Sequence, residues 1–561
     1  MYCPECGYQI EEEETRFCPE CGTRVLDEIE IGGECMPSRE TDSGVCGIIM
    51  TNVYLLAQKM KAQEADVRLM LKRFIEEKKD FGIYYRLADV SQYTFHRRNI
   101  LGFSKTIHLK DKSSVWEYMD VLADELLYDT AKYLFIIGGD DIVPMPCVQH
   151  FANDCDDTTI DTDILYAYPY GKDSLAMLEN ATLFEREPLL MVGRLPVEKD
   201  TSFEEWSGYL ERSLKCSIGI PVAGAYAQCD PNWKNISVSV AGRLIDDGWL
   251  MNMDGRLSGD YYYHRLILSP RIDAISVEQV FRSGASLYYY NLHGSDKLEE
   301  RSYIGCTTSK LMSFPVLFPE HMSSCTNPNL VISEACYGAR FIGLDKKHSM
   351  LLASLYSNTL AYVGSSRIAW GTEDPRFMTG HEVLLPQCAD VIARMFIDAM
   401  MQGYTVGEAM LLSRMRLLEQ DVTPHALASV VEFNLFGDPT LAMRVEKSKR
   451  VEMKECKMRN MGFVVEKIET SEAGLDESPL QRVRQAIDDN TSWIQNNIGK
   501  HLYSRYGLEP RPANYIYKLE YSDGIKELNF VYKVPSEGIK QMEYVVRTTE
   551  EGKVKSVIVT K

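Results

Sequence analysis

Two side chains in this sequence have the types and setting of a nucleophile and its base. Cys336 ends the stretch NLVISEAC, and His293 sits in SLYYYNLHG, each at the close of a short apolar run that reads as a buried strand. A free thiol titrates near 8.5, so it is mostly protonated at neutral pH, and an adjacent imidazole can take its proton or stabilise the thiolate. Gly294 follows the histidine and would let a carbonyl come close to the backbone, so that its N–H and that of Cys336 could bind an oxyanion. The plainer alternative is a buried strand-end thiol beside a histidine satisfied at the sheet rim.

A second constellation is Cys3, Cys6, Cys18 and Cys21, spaced C-x2-C-x11-C-x2-C, with each pair written Cys-Pro-Glu-Cys-Gly. Four thiolates at about 2.3 Å complete a tetrahedral zinc shell without an open position, so a structural zinc is expected there. A thioredoxin-like redox pair is the alternative, but two matched pairs without a surrounding βαβ pattern argue against it. Metal would supply the folding energy that so short a segment lacks.

These residues need a frame. From about 48 to 445, apolar runs ending in Gly, Asp or His alternate with longer amphipathic segments, the mark of an α/β fold with a mostly parallel sheet flanked by helices. The clearest strands are 133–141, 189–196, 222–227, 286–294, 329–336 and 360–366, and ligands in such sheets bind beyond the carboxyl ends. If the His and Cys strands are parallel neighbours, both side chains emerge on one edge. Thr405-Val406-Gly407-Glu408 is a helix-opening capping box. Residues 1–26 read as a zinc ribbon, 27–47 as a linker, 48–445 as the main domain, and 446–561 as a small C-terminal α+β module. In that module a helix is expected over 478–507. A hairpin turning at Asp523-Gly524 follows, and the module shows no evident site.

Composition bounds the partners. The 561-residue chain has an apolar fraction of 45% and carries a formal charge of -20, from 61 basic against 81 acidic residues. Such a balance disfavours nucleic acid, and without a long apolar run no membrane span is expected. The N-terminus lacks the pattern of a secretory signal, so a cytoplasmic location with reduced cysteines is expected for the 15 present.

Taken in order, YLFIIGGDDIVP, VGRLP, SLYYYNLHGS, LVISEACYGARF, LAYVGSSRIAWG and EFNLFGDPTLAM resemble segments of clan CD, the caspase-like cysteine peptidases, and most closely the gingipain family, over roughly residues 130–445. The resemblance implies a caspase-like fold and an endopeptidase working through a Cys336–His293 dyad on a protein substrate. It also implies an acid orienting the histidine, where Gln228 stands here with Asp230 two residues on. The arginine-selecting carboxylate of that family falls on Trp233. Glu334, two residues before the cysteine, lines the primary pocket in caspase-like peptidases, and a carboxylate there favours Arg or Lys. A likeness of Glu-Ala-Cys to legumain-like enzymes would imply asparagine instead. Asp230 and Asp141 are further acidic candidates for substrate binding. A protein activator or docking partner is expected at the ribbon or the C-terminal module, and self-processing at Arg301 or Lys449-Arg450. The competing class is a catalytically degenerate caspase-like scaffold, suggested by the missing acid at Gln228; a nucleic-acid-binding regulator is a third.

Overall fold

The computed structural model describes most of residues 45–445 and, beyond them, 463–469, 498, 513–521, 526–534, 542–549 and 552–561. Within the first span, 99–103, 109–113, 129–130, 153–156, 172, 251–261, 265, 270–283, 298–300, 307–312 and 375–383 lie outside the described residues. The zinc ribbon, nearly all of the helix expected over 478–507, the Asp523-Gly524 turn and Lys449-Arg450 are outside them too.

Eleven strands form the central sheet. In chain order they are β1 (Val45–Thr51), β2 (Ile83–Asp89), β3 (Tyr133–Ile137), β4 (Met191–Leu195), β5 (Ala225–Cys229), β6 (Tyr262–Tyr263), β7 (Leu266–Leu268) and β8 (Leu287–Asn291), then β10 (Asn329–Ser333), β11 (Thr359–Ser365) and β13 (Phe433–Gly437). Of the strands outside this sheet, two border the site, β9 (Tyr303–Cys306) and β12 (Trp370–Thr372). The spatial order is β6-β7-β5-β8-β10-β11-β13-β4-β3-β1-β2. Strands β3, β5, β8, β10, β11 and β13 are buried along their whole length, which explains why they read as continuous apolar runs rather than alternations. The first of them, β1, opens at Val45, just inside the stretch expected to be linker.

The sheet is parallel in two blocks. Strands β7, β5, β8, β10 and β11 run one way, and β13 pairs antiparallel with β11. Strands β13, β4, β3, β1 and β2 therefore run the other way. A strand end in one block thus lies on the opposite edge from a strand end in the other. The expected capping box is formed: Thr405 accepts from the Glu408 N–H, and Glu408 accepts from the Thr405 N–H, opening helix Val406–Gln420.

The C-terminal residues build a second sheet from β14 (Phe463–Glu469), β15 (Tyr515–Tyr521), β16 (Lys526–Val534), β17 (Met542–Thr549) and β18 (Val554–Thr560), with β15 and β16 forming the expected hairpin. Its edge is not its own. Strand β12 joins it, giving the order β12-β18-β17-β16-β15-β14. Trp233 and Ile236 share a hydrophobic core with Phe530, Tyr544, Val546 and Val559. The module is packed into the main domain, and its expected lack of a site is corrected below. Among the described residues, no helix is long and apolar enough to cross a membrane.

Candidate active site

The site begins with register. Strands β8 and β10 are parallel neighbours in which Tyr290 pairs with Ser333, so His293 and Cys336 each lie three residues beyond a matched pair and leave the sheet at the same edge. The tyrosines at 288–290 are fully buried in β8, so their role is to anchor that strand.

Beyond β8 the chain is clamped by β9: the His293 N–H donates to Ile304 O (2.9 Å) and the Ile304 N–H donates to His293 O (2.8 Å). Beyond β10, the Tyr337 N–H donates to Arg367 O (2.7 Å) and the Ala339 N–H to Ser365 O (2.9 Å), which ties the cysteine turn to the end of β11. Tyr337 sits at φ 55°, in the left-handed region that a bulky residue adopts only when its surroundings enforce it. Its hydroxyl donates to the Asp157 carboxylate at 2.9 Å.

Gly294 is required by contact. A Cβ built on it would lie 1.7 Å from the Cys336 carbonyl oxygen, so any side chain would drive the histidine turn away from the cysteine turn. Among the described residues neither the Gly294 nor the Cys336 backbone N–H donates a hydrogen bond, which leaves both free for an oxyanion. The Cys336 thiol accepts from the Ala369 N–H at 3.2 Å. Burial pushes its pKa well up, against the pull of backbone N–H groups of Ala369 and Lys561. As it stands the thiol is protonated at neutral pH, so a base is needed.

The acid facing that base is not where it was expected. Gln228 lies within β5, in register with Tyr290, and its carbonyl oxygen accepts from the Tyr226 hydroxyl at 2.9 Å. Two residues on, past the strand end, Asp230 places Oδ2 3.8 Å from His293 Nε2. Its carboxylate is fixed by the N–H of Asn232 (2.8 Å), the Asn232 side chain (2.8 Å) and the N–H of Cys306. Gln228 is thereby corrected as the histidine's orienting group, and Asp230 as a substrate-pocket residue. On its other side His293 packs on Trp233, with ring centroids 4.3 Å apart.

Asp141 is a further correction. It follows β3, which runs in the opposite block, so it emerges on the far edge of the sheet and pairs with Lys59 at 2.5 Å.

Glu334 faces the protein interior one residue beyond the end of β10. It is fully buried, Oε1 accepts from the Tyr289 hydroxyl (2.8 Å), and Oε2 accepts no hydrogen bond among the described residues. The nearby Arg340 gives its guanidinium to Asp296 O. Burial and the neighbouring Asp390 raise the Glu334 pKa well above the carboxylate range, against the pull of the Lys561 ammonium and the Tyr289 hydroxyl. That ammonium lies 3.5 Å from Glu334 Oε2, 3.0 Å from Asp390 Oδ1, 3.0 Å from Asn291 Oδ1 and 4.4 Å from the centre of the Trp233 ring. The buried ammonium is thus surrounded by two carboxylates, an amide oxygen and an aromatic ring. Asn291 lay within the quoted NLHG segment, but Asp390 and Lys561 gave no local signal, because only tertiary packing brings them here. A cleft lined by Gly294, Lys297, Arg301, Cys336, Tyr337 and Arg340 also opens on the cysteine.

Asp230, His293 and Cys306 each offer one ligand atom within 4.8 Å of the others, a set that suits a transition metal. Both carboxylate oxygens of Asp230 already accept backbone N–H groups, which favours a histidine-facing role over a metal shell.

The profile of peptidase family C25 matches residues 71–444, and that of a zinc-ribbon domain matches residues 2–25. Among solved structures, the Arg-specific cysteine proteinase gingipain R is 14% identical, with 73% of this chain and 81% of that chain covered and a TM-score of 0.43. The complex of Porphyromonas gingivalis RgpB pro- and mature domains is 12% identical, with 72% and 80% covered and a TM-score of 0.45. The Saccharomyces cerevisiae separase–securin complex is 9% identical, with 58% and 17% covered and a TM-score of 0.30. No curated protein matches the chain.

Proposed function

Because the chain belongs to peptidase family C25 and is a cysteine endopeptidase of clan CD, we propose that Cys336 is its nucleophile, His293 its general base and a basic residue its preferred P1. The observation that carries this reading is the common exit of β8 and β10, with Gly294 seated against the Cys336 backbone.

In this mechanism His293 takes the Cys336 proton as Sγ attacks the P1 carbonyl carbon. The developing oxyanion accepts from the Gly294 and Cys336 N–H groups. The C–N bond then breaks, His293 gives its proton to the leaving amine, and a thioester remains. Water, deprotonated by His293, attacks that thioester; the P1 carboxylate leaves and the proton returns to Sγ. Asp230, at 3.8 Å, acts through the histidine by stabilising the imidazolium and holding its ring. With that acid in place, the motive for a degenerate scaffold disappears.

The pocket supports the specificity. Glu334 and Asp390 are both fully buried, and two buried carboxylates favour a cation over asparagine. The substrate is thus a protein segment with Lys or Arg at P1. The test is a fluorogenic panel carrying Lys, Arg, Asn or Asp at P1, run beside Cys336→Ala. Cleavage confined to basic substrates and absent in the variant is expected; cleavage after Asn alone would overturn the specificity.

Cys3, Cys6, Cys18 and Cys21 match the donor set of tetrahedral zinc, and we assign them one structural zinc that folds the ribbon as a docking element for a protein partner. Among the described residues eight cysteines form no disulfide, which favours a reducing, cytoplasmic setting.

A further inference from the structure

Lys561 is held as a substrate residue would be, and the strand before it lies where a substrate strand would lie. Strand β12 begins one residue after Ala369, whose N–H reaches the Cys336 thiol. Strand β18 pairs antiparallel with it: Trp370 with Thr560, Gly371 with Val559 and Thr372 with Ile558. The ladder extends at both ends, through Lys561 N–H to Ala369 O (2.9 Å) and Glu373 N–H to Val557 O (3.2 Å). Addition of an extended peptide to an exposed sheet edge is a general mode of peptide recognition, in which the backbone supplies affinity and pockets for side chains supply choice.

The side chain completes the picture. The Lys561 stem crosses Gly371 so closely that a Cβ there would lie 2.0 Å from Lys561 Cε. Its ammonium then meets Asn291, Asp390 and Glu334 under Trp233, and is fully buried. Two accepting oxygens at 3.0 Å and a third carboxylate oxygen at 3.5 Å face the three donors of an ammonium from separate directions, whereas a guanidinium would need a planar fork of acceptors. Gly371 and the short reach between backbone and acceptors are thus specificity devices for lysine.

We infer that Val554–Lys561 is a built-in occupant of the substrate cleft, seated in the register of a substrate strand with Lys561 in the P1 pocket, and that it must withdraw before a protein substrate with lysine at P1 can bind. The inference rests on the reading of Cys336 as nucleophile. It makes the C-terminal module a regulator: whatever loosens β18 from β12 opens the cleft.

The test compares the full chain with Lys561→Ala and with a chain lacking residues 554–561. Two readouts are taken: turnover of P1-Lys and P1-Arg peptides, and the rate at which iodoacetamide alkylates Cys336, followed by peptide mass spectrometry. A cleft closed nine-tenths of the time lowers apparent affinity about tenfold, so Lys561→Ala is expected to raise both kcat/KM for P1-Lys and the alkylation rate by about tenfold. The synthetic peptide Ser-Val-Ile-Val-Thr-Lys is expected to inhibit that variant competitively, and its Arg-ended analogue more weakly. Faster alkylation without cleavage by any variant would uphold the occupancy and sink the peptidase reading of Cys336. Unchanged alkylation and unchanged turnover in Lys561→Ala would overturn the inference while leaving the peptidase intact. Because Lys561→Ala retains the ladder, it remains informative if the truncated chain fails to fold.

Discussion

Two fully buried lysines in this molecule sit in opposite kinds of site. Lys78 pairs with Asp438 at 2.7 Å, and the Asp438 carboxylate also accepts from Tyr85 (2.8 Å), Ser213 (2.7 Å) and both the N–H (3.0 Å) and hydroxyl (2.7 Å) of Thr440. Burial alone would raise that carboxyl, yet the ammonium and the converging donors hold it below its usual range. Lys561 faces two carboxylates, one of which, Glu334, keeps an oxygen without a hydrogen bond and is held well above its usual range by burial and by Asp390. The first carboxylate is saturated by fixed neighbours, whereas the second site holds two carboxyls for one ammonium and leaves one oxygen without a hydrogen bond.

That contrast can be broken by mutation. The largest effect is expected at the closed site: Lys78→Ala leaves Asp438 buried without its cation and should cost about 3–5 kcal/mol in chemical unfolding, with the ratio of Lys to Arg cleavage unchanged. Its pH signature has a definite sign. A carboxyl depressed in the folded state contributes stability above its unfolded pKa of about 4 and loses it as pH falls through the folded value, so Lys78→Ala should flatten the acid limb of the stability curve. Equal acid limbs in variant and wild type would show that the pair does not govern it.

At the ligand site the expectation reverses. Glu334→Gln leaves Asp390 as the one carboxyl facing a P1 ammonium and should weaken P1-Lys turnover in kcat/KM by about 1.5–3 kcal/mol while leaving the unfolding free energy nearly unchanged, since burial and Asp390 already penalise the ionised form of Glu334 in the fold. A large loss of stability instead would make Glu334 structural. The smallest effect belongs to Gln228→Ala, expected within about 0.5 kcal/mol in kcat/KM because Asp230, not Gln228, faces His293. A loss near that of Asp230→Asn would restore Gln228 to the site.

Much of the frame was legible along the chain. The runs ending at Asn291 and Ser333 read as buried strands because both faces of a central parallel sheet are covered, so apolarity is continuous and a site residue stands out at each end. The Thr405–Glu408 cap is local chemistry and formed as read. Asp141 was misplaced because strand direction is not a local property: β3 ends in polar residues fit for a site, as the site strands do, but the antiparallel joint between β11 and β13 turns its end to the far edge. Asp230 was set aside for Gln228 because one residue's difference in where a strand ends decides which carboxylate clears the sheet.

By itself, then, the sequence determined the nucleophile candidate, the histidine, the intervening glycine and the strands that carry them, since each depends on neighbours within a few residues. Only the tertiary structure decided which acid faces the histidine, that Asp390 and Asn291 join Glu334, and that Lys561 fills their pocket. Those contacts join residues far apart in the chain, and they exist because the C-terminal sheet takes its edge from β12, a strand of the catalytic domain.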